Sequence, residues 1–373
     1  MYRRQIKQIV KDLNKKIVFI VGPRQVGKTW LAHETGKHFN NTVYLNYDSF
    51  QDRRIIEDES WPQSTELLIL DELHKMQGWK NYLKGVFDTK AKPLKILVTG
   101  SARLDIFRQG GDSLAGRFFT HRLLPFSISE LRDNPLGDDI ERFISRGGFP
   151  EPFLAKTDID AKRWRGQCTD GLIRSDILDF ERIHDFKAIR MVFELLRARV
   201  GSPVSYASIA RDVSISPTTV IKYIQILEAL YIVFRVNPYS KNIARSILKE
   251  PKIYFFDNGL VEGDAGAKFE NFAALSLLKY LYGRVDYKGE DCALKYIRTK
   301  EGKEVDFCIA SNNNIEEAIE VKFRDSNISE NLKYFCGKYN LKGRQIVREL
   351  KRERTAGGIE LVRADKYFKN LFL

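Results

Sequence analysis

Short apolar runs alternate with stretches of helical spacing along the first part of the chain. Residues 17–21 (IVFIV), 42–47 (TVYLNY), 67–70 (LLIL) and 95–99 (KILVT) are largely apolar or β-branched, as strands buried on both faces should be. A helical stretch opens at Lys28, directly behind the first run and a Gly-rich turn. Strands alternating with helices predict an α/β unit built on a parallel sheet. Ahead of them, MYRRQIKQIVKDLNKK reads as a basic amphipathic helix and lacks the apolar core of a signal peptide.

The pattern changes at Gly147–Pro150 (GGFP), a cluster that continues neither a helix nor a strand. From about Lys187 to Asn237 the order is helix, helix, long helix and apolar strand, with short polar breaks between them. After Pro251 the reading turns mixed: KIYFFD is strand-like, GAKFENFAALSLLKYLYG is an amphipathic helix, and EVDFCIA with EAIEVKF forms a hairpin across SNNN. The charged tail from Lys351 to Arg354 is expected to be solvated. Three domains are expected, over residues 1–150, 151–250 and 251–373.

Composition agrees with that division. A chain of 373 residues exceeds one ordinary core and suits two or three domains. Its 43% hydrophobic and 30% charged residues are normal for a globular protein. No apolar run is long enough to span a bilayer, so no membrane partner is expected and the cytoplasm is the default. Cys168, Cys292, Cys308 and Cys336 are scattered, with neither zinc-site spacing nor a disulfide framework. The net charge of +13 is compatible with nucleic acid, an anionic membrane face or an acidic protein, and chooses among none of them.

The first chemistry-bearing segment is Gly22-x-x-x-x-Gly27-Lys28-Thr29, set between a predicted strand and a predicted helix, which is the context of a P-loop. Its glycines let backbone N–H groups turn toward phosphate oxygens, and the following helix presents its positive end to the same anion. The candidate nucleotide-binding residues are Gly22, Pro23, Arg24, Gln25, Val26, Gly27, Lys28, Thr29 and Trp30. Lys28 would reach the phosphates and the Thr29 hydroxyl would bind Mg²⁺. LLIL ends in Asp71-Glu72, two carboxylates at the edge where open α/β sheets bind ligands. Asp71 suits the Mg²⁺ and Glu72 suits the attacking water. The run ILVT ends in Thr99-Gly100-Ser101, whose hydroxyls would face the γ-phosphate if that strand neighbours the Asp71 strand; an ordinary turn is the competing reading. Arg117, in SLAGRF, could supply charge to the phosphate in cis or from a neighbouring subunit, or be a surface arginine.

In this order, GPRQVGKT, LLILDELHKMQGWKNYLKGVFD, ILVTGSAR, SLAGR, GGFPE and KIYFFDNGL together resemble a widespread prokaryotic family of AAA-type (AAA+/STAND-like) P-loop ATPases with a C-terminal domain of unknown function. The resemblance runs from Ile17 to about Ile346. It implies ATP and Mg²⁺ as cofactors and ATP hydrolysis as the activity. It assigns the two Walker roles to Lys28, Thr29, Asp71 and Glu72, a sensor segment to Ser101 and a finger-like arginine to Arg117. Gly148 and Pro150 match a turn that packs near the nucleotide in related signalling ATPases. The order PFSIS after Arg117 departs from the family's usual Leu-Ser-Phe and touches no catalytic position.

SYASIARDVSISPTTVIKYIQILEAL reads as a helix-turn-helix, with Ser205 and Ser216 as N-caps and Pro217 opening the second helix. Val220, Ile224, Leu227 and Tyr231 would face the core, leaving Thr218, Thr219, Lys222 and Gln225 outward. Residues 187–250 hold ten Lys/Arg against four Asp/Glu. The segment suits DNA backbone contact, whereas winged helices in such ATPases also serve as lids or packing modules.

The hairpin 303–323 is the second constellation. Strand alternation would put Glu304, Asp306 and Cys308 on one face and Val305, Phe307 and Ile309 on the other, and would gather Asp306, Glu320 and Lys322. Two carboxylates can hold Mg²⁺ and a lysine can position water for attack on phosphodiester. The arrangement resembles the PD-(D/E)xK nuclease (restriction-endonuclease-like) fold, with Glu270 matching its acidic helix residue and Val305 replacing the motif proline. A solvated cross-strand ion pair is the alternative. The expectation is therefore an AAA-type core with a parallel sheet, a winged-helix domain and a nuclease-like α/β domain. Its function would be ATP hydrolysis that drives or gates action on nucleic acid, with a metal-dependent nuclease as an extension. The alternatives are an ATP-dependent switch or scaffold that binds a protein partner through an inactive nuclease-like domain, and a DNA-binding regulator. A homo-oligomer would let Arg117 act in trans.

Overall fold

A computed structural model describes residues 5–89, 94–100, 114–171, 185–240, 250–312, 314–324 and 327–372. The chain forms two compact units, Met1–Leu124 and Pro125–Leu373. The Gly147–Pro150 change of pattern thus falls inside the second unit.

The first unit begins with helix α1 (Gln5–Leu13), whose Ile6, Ile9 and Leu13 are buried, as its amphipathic pattern requires. Strands β1 (Ile17–Val21), β2 (Thr42–Asn46), β3 (Leu67–Asp71), β4 (Lys95–Gly100) and β5 (Phe118–Arg122) form one sheet in the order β2-β3-β4-β1-β5. All of its pairings are parallel. Helices α2 (Lys28–Gly36), α3 (Phe50–Glu57) and α4 (Trp79–Thr89) lie between the strands in sequence. β1 and β3 are buried at every position, which is why their sequences are apolar without alternation. β4 is inserted between the strand that leads into the Gly-rich loop and the strand that ends in Asp71. Asp71 consequently stands beside Thr99 in register.

The second unit starts with short helices α5 (Ile140–Arg146) and α6 (Pro150–Leu154), then α7 (Asp158–Gly171). Next come α8 (Phe186–Arg197), α9 (Tyr206–Val213) and α10 (Pro217–Ala229), and strands β6 (Val233–Pro238) and β7 (Lys252–Phe255). Ser216 accepts a hydrogen bond from Thr219 N and Pro217 opens α10, whereas Ser205 occupies the cap position of α9 without a side-chain cap bond. Val220, Ile224, Leu227 and Tyr231 are buried.

The C-terminal part has α11 (Ala265–Lys288), β8 (Cys292–Arg298), β9 (Glu304–Ser311), β10 (Asn314–Lys322), α12 (Glu330–Tyr339), β11 (Gly343–Val347), β12 (Arg354–Ala356), β13 (Ile359–Arg363) and α13 (Ala364–Lys369). Its mixed sheet runs β12-β13-β11-β10-β9-β8-β6-β7, so the hairpin that follows the helix pair is also the edge of the large sheet. α11 is not amphipathic: it is buried along most of its length, Lys279 included. The Lys279 ammonium pairs with Glu130 and donates to Pro125 O at 2.7 Å, satisfying a charge that burial would otherwise make costly.

The motif KIYFFDNGL holds this unit together. Asn271 bonds both the N–H and the C=O of Phe255 and donates to Asn258 Oδ1 at 2.8 Å. Asn258 donates to Ile144 O at 2.6 Å, and Asp257 accepts from Arg165 at 2.8 Å. Gly148 lies against the backbone of Phe126, whose N–H donates to Gly148 O at 2.7 Å.

All four cysteines are free, with Cys308 and Cys336 buried. Among the described residues, no helix is long and apolar enough to cross a membrane.

Candidate functional site

The loop after β1 is shaped by backbone conformations that favour glycine. Gly27 has φ 95°, and a Cβ on Gly22 (φ 155°) would lie 2.1 Å from the carbonyl oxygen of Leu123. Gln25 also has a positive φ of 58°, a conformation uncommon for a side-chain-bearing residue. α2 starts at Lys28, so its first N–H groups face the loop. The Lys28 ammonium is buried and donates to the carbonyls of Gly22 at 3.1 Å and Pro23 at 2.6 Å. Burial pulls its pKa down to about 8, against the raising influence of Glu72 and Asp71. Trp30, by contrast, is partly exposed on the first turn of α2.

Asp71 is the hub. Its carboxylate accepts from Thr29 Oγ1 at 2.8 Å, from the Tyr44 hydroxyl at 2.8 Å and from the Thr99 hydroxyl. The three donors come from the loop helix and from the strands on either side of β3. Burial and the bond to Asp71 hold the Tyr44 phenol well above its ordinary value. Glu72 sits in the left-handed conformation at φ 56°, which turns the chain sharply after β3. Its N–H donates to Thr99 O at 3.1 Å. Burial, then the charge of Asp71, raises the Glu72 pKa above the usual carboxylate value. His74 lies 3.5 Å from Glu72, and burial lowers its pKa to about 4, so at neutral pH it is an uncharged imidazole.

These positions unite Lys28, Thr29, Asp71 and Glu72 at one edge of the sheet. Tyr44 and His74 are additions that strand patterning alone did not single out. Tyr44 is part of an aromatic strand, and its hydroxyl matters only because β2 pairs with β3. Thr99 takes a place at Asp71, while Ser101 lies outside the described residues.

Arg117 lies elsewhere. It precedes β5 at the end of the sheet where β1 begins, with its C=O accepting from Ile17 N at 3.0 Å. The Gly-rich loop follows the opposite end of β1, about 13 Å of strand rise away. The Arg117 guanidinium is engaged by Asp88 at 2.9 and 3.0 Å. This geometry rules out the cis form of the finger role, because a side chain at the far end of the sheet cannot turn back to the loop.

In the second unit the carboxylates gather around a residue that the hairpin pattern did not include. The Lys252 ammonium lies 2.8 Å from Glu304, 3.4 Å from Glu270 and 3.7 Å from Asp306, and the residue is 1% exposed. Burial alone would lower its pKa, but Glu270, Asp306 and Glu304 outweigh that and hold it above the ordinary lysine value. Tyr254 donates to Glu270 at 2.7 Å. Glu270 is pushed up to about 7 by burial and by Asp306, with Lys252 and Tyr254 pulling the other way.

Asp306 Oδ2 accepts from Val321 N at 2.9 Å, and Glu320 pairs with Lys322 at 2.9 Å. Burial and the charge of Asp306 push Glu320 up to about 7. Its second carboxylate oxygen is buried and has no hydrogen-bond partner.

The expected facing of β9 needs correction. Cys308 stands opposite Lys295 and Val305 opposite Ile297, so Asp306 and Phe307 share one partner position, a β-bulge. Strict alternation breaks there: Val305 and Cys308 pack in one cluster, while Phe307 meets Tyr254 with ring centroids 5.5 Å apart. A hint was available in the sequence, since Lys252 is a charged residue leading an otherwise apolar strand. Glu270, Glu304 and Asp306 do not fit a metal as they stand. Among the described residues no group of three or more His, Cys, Asp or Glu is arranged to hold an ion, and an ammonium fills the centre of this cluster.

Comparisons with known proteins bear on the two units differently. Residues 14–132 match the family model described as an AAA domain. Residues 137–268 and 265–367 match two models described as domains of unknown function. An uncharacterized protein of Mycobacterium tuberculosis is 26% identical over 247 residues, 66% of this chain and 55% of that protein. The chain thus spans about half the length of this relative and of its 26% identical counterpart in Mycobacterium bovis, 55% in each case. An uncharacterized protein of Methanocaldococcus jannaschii is 25% identical over 348 residues, 84% of this chain and 76% of that protein. Among solved structures, the RuvB Holliday junction branch migration motor of Thermotoga maritima gives a TM-score of 0.35 at 17% identity, over 63% of this chain and 90% of that one. A signal transduction ATPase with numerous domains from Pyrococcus horikoshii, which has a tetratricopeptide repeat sensor, gives 0.25 at 15% identity, over 75% and 46%. Neither structure is close enough to assign a function. The first unit carries an AAA-type P-loop domain.

Proposed function

We propose that this chain binds ATP with Mg²⁺ at the Gly22–Trp30 loop, hydrolyses it, and uses the cycle to gate contact of its second unit with nucleic acid. The observation that carries the reading is Asp71, buried at the sheet edge beside the loop and bonded at once to Thr29, Tyr44 and Thr99. Thr29 and Asp71, a hydroxyl and a carboxylate in direct hydrogen bond, are hard oxygen ligands suited to Mg²⁺. Bound with ATP, the ion would neutralise phosphate charge.

The chain's own residues do the rest. The loop N–H groups and the start of α2 bind phosphate. Lys28 exchanges its two carbonyl partners for phosphate oxygens. Glu72, next to Asp71 and turned by its left-handed backbone, accepts a hydrogen bond from the attacking water and orients it. Neutral His74, 3.5 Å away, adds no positive charge that would tie Glu72 down.

Nucleic acid as the gated partner is read from the order of α8, α9, α10 and the antiparallel β6–β7 pair, an order compatible with a winged helix, and the net charge of +13 permits it. The ATPase part is tested by comparing two variants. Lys28→Ala should lose ATP binding, and Glu72→Gln should keep binding while losing turnover. Hydrolysis by Glu72→Gln at the wild-type rate would remove Glu72 from the mechanism.

A second reading concerns the C-terminal part, and Lys252 favours it. With an ammonium seated among Glu270, Glu304 and Asp306, the nuclease-like domain acts as a scaffold that binds a partner and does not cut. Incubation of the purified chain with DNA and RNA in Mg²⁺ or Mn²⁺ tests this, since cleavage that chelator abolishes is incompatible with it.

A further inference from the structure

The centre of the second unit holds three carboxylates from two elements, Glu270 on α11 and Glu304 with Asp306 on β9. Such a group repels itself and calls for a cation. We propose that Lys252 is that cation: a built-in ammonium takes the place of a divalent ion, and its removal converts the cluster into a metal site. This rests on the scaffold reading and deepens it, because it says why these three carboxylates hold no divalent ion.

The three carboxylates have further partners. Glu304 faces Arg298 at 3.3 Å in addition to Lys252. Asp306 gives one oxygen to Lys252 at 3.7 Å and the other to the N–H of Val321. Glu270 Oε1 is shared by Lys252 and Tyr254. Glu304 and Asp306 reach this centre from one face of β9, and the bulge that follows brings Cys308 to the side of Val305 instead of theirs.

The backbone seals the same place. A Cβ on Gly201 would lie 2.6 Å from a Glu270 carboxylate oxygen, so the loop between α8 and α9 runs directly against it. Pro203 bridges to Lys252, and Val204 N donates to Pro251 O at 2.8 Å. A hydrated divalent ion would have to expel the ammonium, break these carboxylate contacts and lift the loop. Like charge a few ångströms away opposes the first step.

The test uses the full chain without nucleotide, titrated with Mn²⁺ and followed by electron paramagnetic resonance. Wild type should show no Mn²⁺ site that Asp306→Asn removes. Lys252→Met, which keeps an unbranched side chain one atom shorter and deletes the charge, should bind one Mn²⁺ at least roughly tenfold tighter than wild type, as expected when a like charge at this range is removed. Adding Asp306→Asn to Lys252→Met should abolish that gain. A wild-type Mn²⁺ site lost in Asp306→Asn would overturn the proposal, as would a folded Lys252→Met that binds no more Mn²⁺ than wild type. Circular dichroism establishes folding; should Lys252→Met fail to fold, the wild-type and Asp306→Asn titrations decide alone, with absence of a difference supporting the ammonium. The outcomes separate cleanly: cleavage of nucleic acid by wild type defeats the scaffold reading, and manganese binding by wild type at Asp306 defeats the lysine substitution.

Discussion

Thr99 and Asp71 stand side by side on adjacent parallel strands, and the threonine hydroxyl donates to the aspartate carboxylate. Both are buried, so the bond is shielded from competing water. Thr99→Val keeps the shape and removes the donor. Loss of a hydrogen bond to a buried charged group should cost about 1–3 kcal/mol of stability. A partner that orients a ligand-bearing carboxylate is worth about 10–100-fold in activity or metal affinity. We expect Thr99→Val to lower ATP turnover within that range with ATP binding largely retained, checked by steady-state hydrolysis and nucleotide titration. Tyr44→Phe should act in the same direction through the other oxygen of Asp71.

Lys28 leads to a pH prediction. Its folded pKa of about 8 lies below the ordinary lysine value of 10.5, so the unfolded chain binds the proton more tightly. The charged lysine therefore lowers stability in full below about pH 8, and the penalty fades as pH rises from there toward 10.5. Lys28→Met should be more stable than wild type at pH 7 by up to about 3 kcal/mol, with the gap closing above pH 8. Denaturant unfolding of the nucleotide-free protein across that range checks the sign. ATP affinity should move the other way in wild type, weakening above about pH 8 as the ammonium is lost.

Arg117 can meet a phosphate only from another subunit, and to do so it must leave Asp88. Mixing Arg117→Ala with Glu72→Gln should restore part of the hydrolysis at interfaces that pair an intact arginine with an intact glutamate. The restored rate should rise with protein concentration. Mixed assemblies that stay inactive, or a strictly monomeric active wild type, would return Arg117 to the role of a surface ion pair.

Glu320 carries a pH signature in the second unit. Its folded pKa is raised to about 7, above the ordinary 4.5, so the folded state holds the proton more tightly than the unfolded chain. The stabilising protonated form is fully present below about pH 4.5 and is lost as pH rises through 7. Glu320→Gln removes the titration. Its unfolding free energy should fall less steeply than that of wild type between pH 4.5 and 7, and the variant should equal or exceed wild type at pH 8. Parallel slopes in the two proteins would show that Glu320 does not titrate in this window.

The central strands of the first unit were legible in sequence because continuous burial demands continuous apolar residues, as in IVFIV and LLIL. The Gly-rich loop was legible for a related reason: its chemistry is local, and backbone turn, helix start and lysine all lie within a few residues. The helix pair behind Ser205 and the β9–β10 hairpin also followed from periodicity and turn chemistry, although the side-chain bond expected of Ser205 is not made.

What the sequence by itself determined is thus the strands β1 to β4, the helix pair and hairpin behind them, the phosphate loop and the pair Asp71-Glu72. Tertiary structure decided what lies across the sheet from them. The order β2-β3-β4-β1-β5 brings Tyr44 and Thr99 to Asp71, and puts Arg117 at the far end from the loop, facts that no local pattern encodes. In the second unit, one extra residue in β9 broke the alternation that the hairpin reading depended on. Lys252 reached the carboxylates only through the pairing of β6 with both β7 and β8. The physical reason is the same in each case. Local propensity selects an element, but the charges that share a buried centre come from strands distant in sequence, and only their register says which cation meets which carboxylate.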